Sequence, residues 1–188
     1  MAYTYGTDEW EEAYKTEVAK RMESEPQPYI YFTPEWVAVF EKAIQEDAEY
    51  KDVAKAWEGT VVLHVQQKSE YGLDQDLFVY LDLWHGECRS ARIVPRATGE
   101  AGDYVITGAM DRWIQVGKKE LDPVKGMMQG KLKLKGDLPT IVRNVRAASR
   151  LVDISSEIGG KYPDELNADE VESLRSVVSS LSEEFGID

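Results

Sequence analysis

The sequence predicts an α+β fold: a five-stranded, largely antiparallel sheet with helices packed on it from both ends of the chain. Three observations carry this. Hydrophobic spacing over roughly the first third is helical and punctuated by good caps. From Gly59 the period changes to two and stays so through four successive stretches. Near position 131 a glycine-bounded alternation of lysine and leucine runs directly into another helical pattern. At 188 residues the chain can bury one sizeable core.

In chain order, Asp8 with Glu11 has the form of a capping box, and Trp10, Tyr14, Val18 and Met22 follow on one stripe. The EPQP run at 25–28 breaks that helix. Thr33 is then a good N-cap, Pro34 suits the first helical position and Glu35 the positive end of the dipole, with Trp36, Phe40 and Ile44 as the buried stripe. A third, short helix presents Tyr50, Val53 and Trp57.

VVLHV, LFVYLDLW, RSARIV and YVITG are the four strand candidates, and their succession suggests a meander. In the second, Leu77, Val79, Leu81 and Leu83 share a face that belongs to a core. Phe78, Tyr80, Asp82 and Trp84 share the other, which we expect the N-terminal helices to cover at least in part. WHGEC reads as the turn between strands two and three, with Gly86 left-handed. Asp122 and Pro123 cap and open a short helix carrying Val124, Met127 and Met128. KLKLK is the fifth strand, and Leu138, Ile141, Val142, Val145, Ala148 and Val152 form a stripe that needs the sheet beneath it. Val171, Leu174, Val178, Leu181 and Phe185 mark a final acidic helix.

Charge is unevenly distributed. Of the net −13, positions 1–58 contribute −8 (14 acidic, 6 basic) and positions 159–188 contribute −6 (8 acidic, 2 basic). Within the near-neutral centre, 125–150 carries seven basic residues against Asp137 alone, net +6. An acidic chain gains little from counterion release, so nucleic acid is not an expected partner. The basic patch reads either as solvated helix and strand faces or as a site for an anionic headgroup, an acyl-CoA phosphate or an acidic protein surface. The single cysteine, Cys88, allows no intramolecular disulfide, and the first twenty residues lack a secretory pattern, so a cytoplasmic location is expected. The longest apolar run, LFVYLDLW, is eight residues with Asp82 inside it, too short for stable membrane insertion. The chain closes on FGID rather than on a peroxisomal address.

The stretch DPVKGMMQGKLKLKGDLPTIVRNVRAASRL resembles the last third of sterol-carrier-protein-2-like (SCP2) domains, in which a Gly-Lys-Leu strand ending in Gly-Asp enters a C-terminal helix. ITGAMDRWIQVGKKELDP upstream is similar to that family's strand, tryptophan-bearing turn and Leu-Asp-Pro helix start. The resemblance covers 59–158 as a lipid-binding domain, with N-terminal helices over 1–58 packing on it and an acidic helical extension over 159–188. It implies an apolar tunnel between sheet and helices, holding a fatty acyl chain, an acyl-CoA, a sterol-like molecule or another long apolar ligand, with no fixed catalytic residues and no cofactor. The walls it implies are Val79, Leu81, Leu83, Ile106, Trp113, Met128, Leu132, Leu134 and Val145. A protein partner or a homodimer stays open. So does a second reading, in which the core is filled and the acidic termini dock on a larger enzyme.

Residues suited to chemistry are few. His64, His85 and Cys88 fall short of a zinc ligand set, and a Cys-His nucleophile would need Cys88 to be activated across the sheet. Asp82 either faces a closed cavity, where it could orient a ligand hydroxyl or act as a base, or is solvated on the aromatic face.

Overall fold

A computed structural model describes residues 2–188. Helices α1 (Asp8–Ser24), α2 (Pro34–Glu46) and α3 (Ala48–Val53) precede strand β1 (Glu58–Gln66). The hairpin β2 (Leu77–Trp84) and β3 (Glu87–Val94) leads through α4 (Arg96–Glu100) to β4 (Tyr104–Ala109). Helices α5 (Met110–Gly117) and α6 (Pro123–Met128), strand β5 (Lys133–Lys135), and helices α7 (Leu138–Arg143), α8 (Val145–Glu157) and α9 (Ala168–Phe185) complete the chain.

Caps begin most of the helices. The Thr33 hydroxyl accepts from the Trp36 amide, and Asp47, Asp122 and Asp137 carboxylates receive the amides of Tyr50, Lys125 and Thr140. At α1 the cap is Thr7, one residue ahead of the expected Asp8. Asn167 and Glu170 form a reciprocal capping box at α9.

The sheet order is β3-β2-β1-β4-β5, antiparallel except between β1 and β4. That pair departs from the expected meander. Instead of pairing with β3, β4 lies parallel to β1, on the side away from β2, and parallel neighbours need a crossover, which the segment containing α4 provides. His85 and Gly86 both take positive φ at the β2–β3 turn. A Cβ on Gly86 would lie 2.5 Å from the Lys51 carbonyl of α3, so glycine is required there twice over.

The leucine face of β2 joins the main core as expected and carries α2, while α1 reaches the aromatic face only at its β3 edge, where Glu11 pairs with Arg92, opposite Tyr80. Trp36 and Phe40 of α2 share a cavity wall with Leu81 and Leu83, and Glu41 of α2 accepts the amide of Ala91 in β3 at 2.7 Å. The aromatic face is covered by α4: a Cβ on Gly99 would lie 2.4 Å from the Phe78 ring, and Phe78 clusters with Val62, Val94 and Val105. Trp84, at the end of that face, is 42% exposed beneath the Arg89 guanidinium.

The segment 138–157 is two helices broken at Asn144, which has φ −110° and ψ 29°. The break shifts the helical phase, so Ala147 and Ile154 are buried while Val142 and Val145 are exposed. Trp113 lies on α5 rather than in a turn. The acidic helices are not free appendages. The Trp10 indole of α1 donates to the Phe185 carbonyl of α9 at 2.9 Å, and Trp10 and Tyr14 pack edge-on to Phe185. Among the described residues no helix is long and apolar enough to cross a membrane.

Candidate functional site: an apolar cavity between sheet and helices

A cavity of about 120 Å³ lies between the sheet and the helices packed on its leucine face. Its floor is the inner face of three strands, where the register sets Val61 opposite Leu81 and Leu63 opposite Ile106, with Leu83 beyond. Trp36 and Phe40 of α2, with Tyr50 and Trp57, form one side; Trp113 and Val116 of α5 and Met127 of α6 form the other. Ile141 of α7 and Ala147, Ala148, Leu151 and Val152 of α8 close the top.

The lining is apolar because its polar atoms are already engaged. The indoles of Trp36, Trp57 and Trp113 donate to the carbonyls of Gly159, Gly59 and His64 at 2.9, 2.9 and 3.1 Å. The Tyr31 hydroxyl donates to the Ser155 carbonyl at 2.6 Å, the Ser155 hydroxyl to Val152, and the Asn144 amide to Thr140. Tyr50 differs. It is 1% exposed, and its phenol makes no hydrogen bond to the described residues but keeps slight solvent contact, since no fully buried side-chain polar atom among them is left without a partner; burial holds its pKa well above the ordinary value.

The cover is held by ion pairs at its back. Arg150 of α8 bonds both oxygens of Asp47, the α3 cap, at 2.6 and 3.1 Å, and also reaches Glu157. Hydrogen bonding to Arg150 holds the Asp47 carboxyl below the usual range. Lys119 pairs with Asp153 at 2.7 Å, joining the end of α5 to α8.

The profile of the SCP-2 sterol transfer family matches residues 40–148, more than half of the chain. The chain belongs to that family. A crystal structure of sterol carrier protein 2 is 34% identical over 69% of this chain and 99% of its own, with a TM-score of 0.63. The solution structure of a conserved hypothetical protein from Thermus thermophilus is 33% identical over 69% of this chain and 90% of its own, also with a TM-score of 0.63. No curated protein sequence matches the chain closely.

Of the wall residues implied by the family resemblance, Leu81, Leu83, Ile106 and Trp113 line this cavity. Val79 and Leu132 are fully buried in the surrounding core, Leu132 against Gly108, where a Cβ would lie 2.5 Å from its methyl. Leu134 is half-buried on edge strand β5, Val145 is exposed, and Met128 is 67% exposed while its neighbour Met127 takes the wall position. Sequence reasoning missed the aromatic side of Trp36, Phe40, Tyr50 and Trp57, although their helical stripes mark all four as buried.

The candidate chemical residues lie elsewhere. Asp82 is on the outer face, paired with Arg89 at 2.8 Å. Cys88 is buried and its thiol is pushed up to about 12 by desolvation, with Glu41 and Asp82 adding to the shift, which leaves it protonated and unreactive at neutral pH. His64 bridges Thr107 at 2.9 Å and Asp76 at 2.7 Å and stacks on Phe78, all on the face away from the cavity. His85 bonds the Lys55 carbonyl and Glu58 beside the hairpin turn. Among the described residues no three His, Cys, Asp or Glu side chains are placed to share a metal ion.

Proposed function

We propose that the protein is a non-catalytic carrier that holds a long, thin apolar ligand, such as a fatty acyl chain, in the cavity between sheet and helices. The observation that carries this is the lining. Three strands and six helices converge on open space, and every lining indole and amide N–H donor named above is bonded to backbone, so the walls offer contact without competing polar demands. Family membership supports the same reading.

Volume narrows the ligand class. About 120 Å³ compares with the roughly 150 Å³ of a cavity that takes benzene. A flexible chain can thread such a space and widen it by rotamer changes, for which Met127 is suited. A rigid four-ring sterol would have to displace helices. Once the cavity has widened to take about twelve methylenes, their burial gives on the order of 10 kcal/mol gross, and association costs of at least about 4 kcal/mol, with the cost of widening, leave near-micromolar binding at best. The reading as an accessory module needs a filled core, and the open space beneath α8 supports the carrier instead.

Titration of a fluorescent fatty acid, its methyl ester and a fluorescent sterol tests this. We expect the fatty acid and its ester to bind at about micromolar affinity and the sterol more weakly. Binding of none of the three below about 100 micromolar would sink the carrier reading.

A further inference from the structure

We propose that the stacked pair Tyr31 and Tyr162 is the end stop of the cavity and sets the longest acyl chain the protein takes. The proposal rests on the carrier reading and adds to it a limit on chain length and the residues that impose it. The cavity has a long axis. Its wall on α8 runs from Asn144 through Ala147, Ala148, Leu151 and Val152 to Ser155, a spacing that keeps one face of the helix inward. At 1.5 Å per residue that run spans about 16 Å. At its start Met127, Asn144 and Ala148 are partly exposed, which places the opening there. At its end the walls are Tyr31, Trp36, Val116 and Gly117, all buried.

Tyr162 stands behind that closed end. Its ring stacks on Tyr31 with centroids 4.4 Å apart and planes within 14°, and its hydroxyl donates to the Tyr31 hydroxyl oxygen at 3.3 Å. The ring also lies on Gly117, where a Cβ would come within 2.8 Å of it. Tyr162 itself is partly exposed, and the Lys118 ammonium sits 5.0 Å from its centroid, held by Asp164 and Glu165 at 3.3 and 3.4 Å. A chain growing past Tyr31 would therefore meet an aromatic ring first, and beyond it water and fixed charge, where added methylenes gain no burial.

The ring is pinned rather than hinged. The Lys161 amide donates to the Tyr29 carbonyl at 2.8 Å and the Tyr31 amide to the Lys161 carbonyl at 3.0 Å, so the segment carrying Tyr162 is bonded to the segment carrying Tyr31. Gly160 takes positive φ, and a Cβ there would lie 2.6 Å from the Tyr31 ring, so this backbone rests directly on it. Tyr31 and Tyr162 both fall outside residues 40–148. The stop is thus supplied by the segments that flank the family-matched stretch.

The test is a length series. Saturated fatty acids of roughly eight to twenty carbons displace a fluorescent fatty acid from the full chain and from Tyr162→Ala, Tyr162→Leu and Tyr162→Phe, with a circular-dichroism melt of each. For the wild type we expect affinity to rise about four-fold per added methylene and then to level off. Tyr162→Ala should extend the rise, so that the first chains beyond the wild-type limit bind about ten-fold tighter than they do to the wild type. Tyr162→Leu keeps more packing on Tyr31 and should extend it less; this variant decides the matter if the alanine variant does not fold. Tyr162→Phe loses the hydroxyl bond but keeps the ring, and should restore the wild-type limit. A wild type with no limit, one limit shared by every variant, or a limit moved as far by phenylalanine as by alanine would overturn the proposal. Binding at no length would remove the carrier reading and this proposal with it, whereas bound chains with an unmoved limit overturn this proposal alone.

Discussion

A tyrosine that loses nothing by losing its hydroxyl is the residue most informative about this cavity. The Tyr50 phenol makes no hydrogen bond to the described residues and keeps slight solvent contact, so Tyr50→Phe should leave stability unchanged, while weakening a ligand whose oxygen bonds there. Tyr31→Phe supplies the contrast. Its hydroxyl donates to Ser155 at 2.6 Å, and losing that bond should cost about 1 kcal/mol. Thermal melts of the two variants beside fatty-acid titrations decide the matter; a destabilised Tyr50→Phe would mean that the phenol has a structural role. At the same scale, Cys88 should react with a maleimide only on unfolding, which mass spectrometry at neutral pH with and without denaturant would check.

At the scale of elements, α8 covers the cavity and the Asp47–Arg150 pair ties it to α3. Asp47→Asn keeps the α3 cap but removes the charge, so it should cost about 1–2 kcal/mol at neutral pH. Because the folded carboxyl is held below its unfolded value, the pair's contribution is present above the unfolded pKa and disappears as pH falls through the folded one. Melts of wild type and variant should therefore differ at pH 7 and draw together only as the pH falls below the usual carboxylate range; a constant gap would assign the loss to the cap. Much at this scale is legible in sequence. Thr33-Pro34-Glu35 announces α2, and the alternation of LFVYLDLW marks both faces of β2. What stays hidden is non-local or short. The parallel β1–β4 pair depends on a crossover that no local pattern records. The Asn144 break has neither proline nor glycine to announce it, so one stripe reads straight through two helices and puts Val142 and Val145 inward. Six residues of α6 hold too few turns to choose between Met127 and Met128.

For the whole molecule, the acidic ends and the sheet share one continuous core, with α1 and α9 tied together through Trp10 and Phe185. The space that remains lies largely within the family-matched stretch, 40–148. If that space is a binding site, a bulky side chain placed in it should exclude ligand at little cost. Ala148→Trp puts an indole at the opening from a half-buried position, and we expect a stability loss under about 1 kcal/mol, against the roughly 1–3 kcal/mol of overpacking a filled core. The decisive measurement is native mass spectrometry of the protein before and after incubation with a long-chain fatty acid, for wild type and Ala148→Trp. The account predicts a one-to-one adduct on the wild type that is absent from an equally folded variant. Bare protein in both cases, or the same adduct on both, would contradict it.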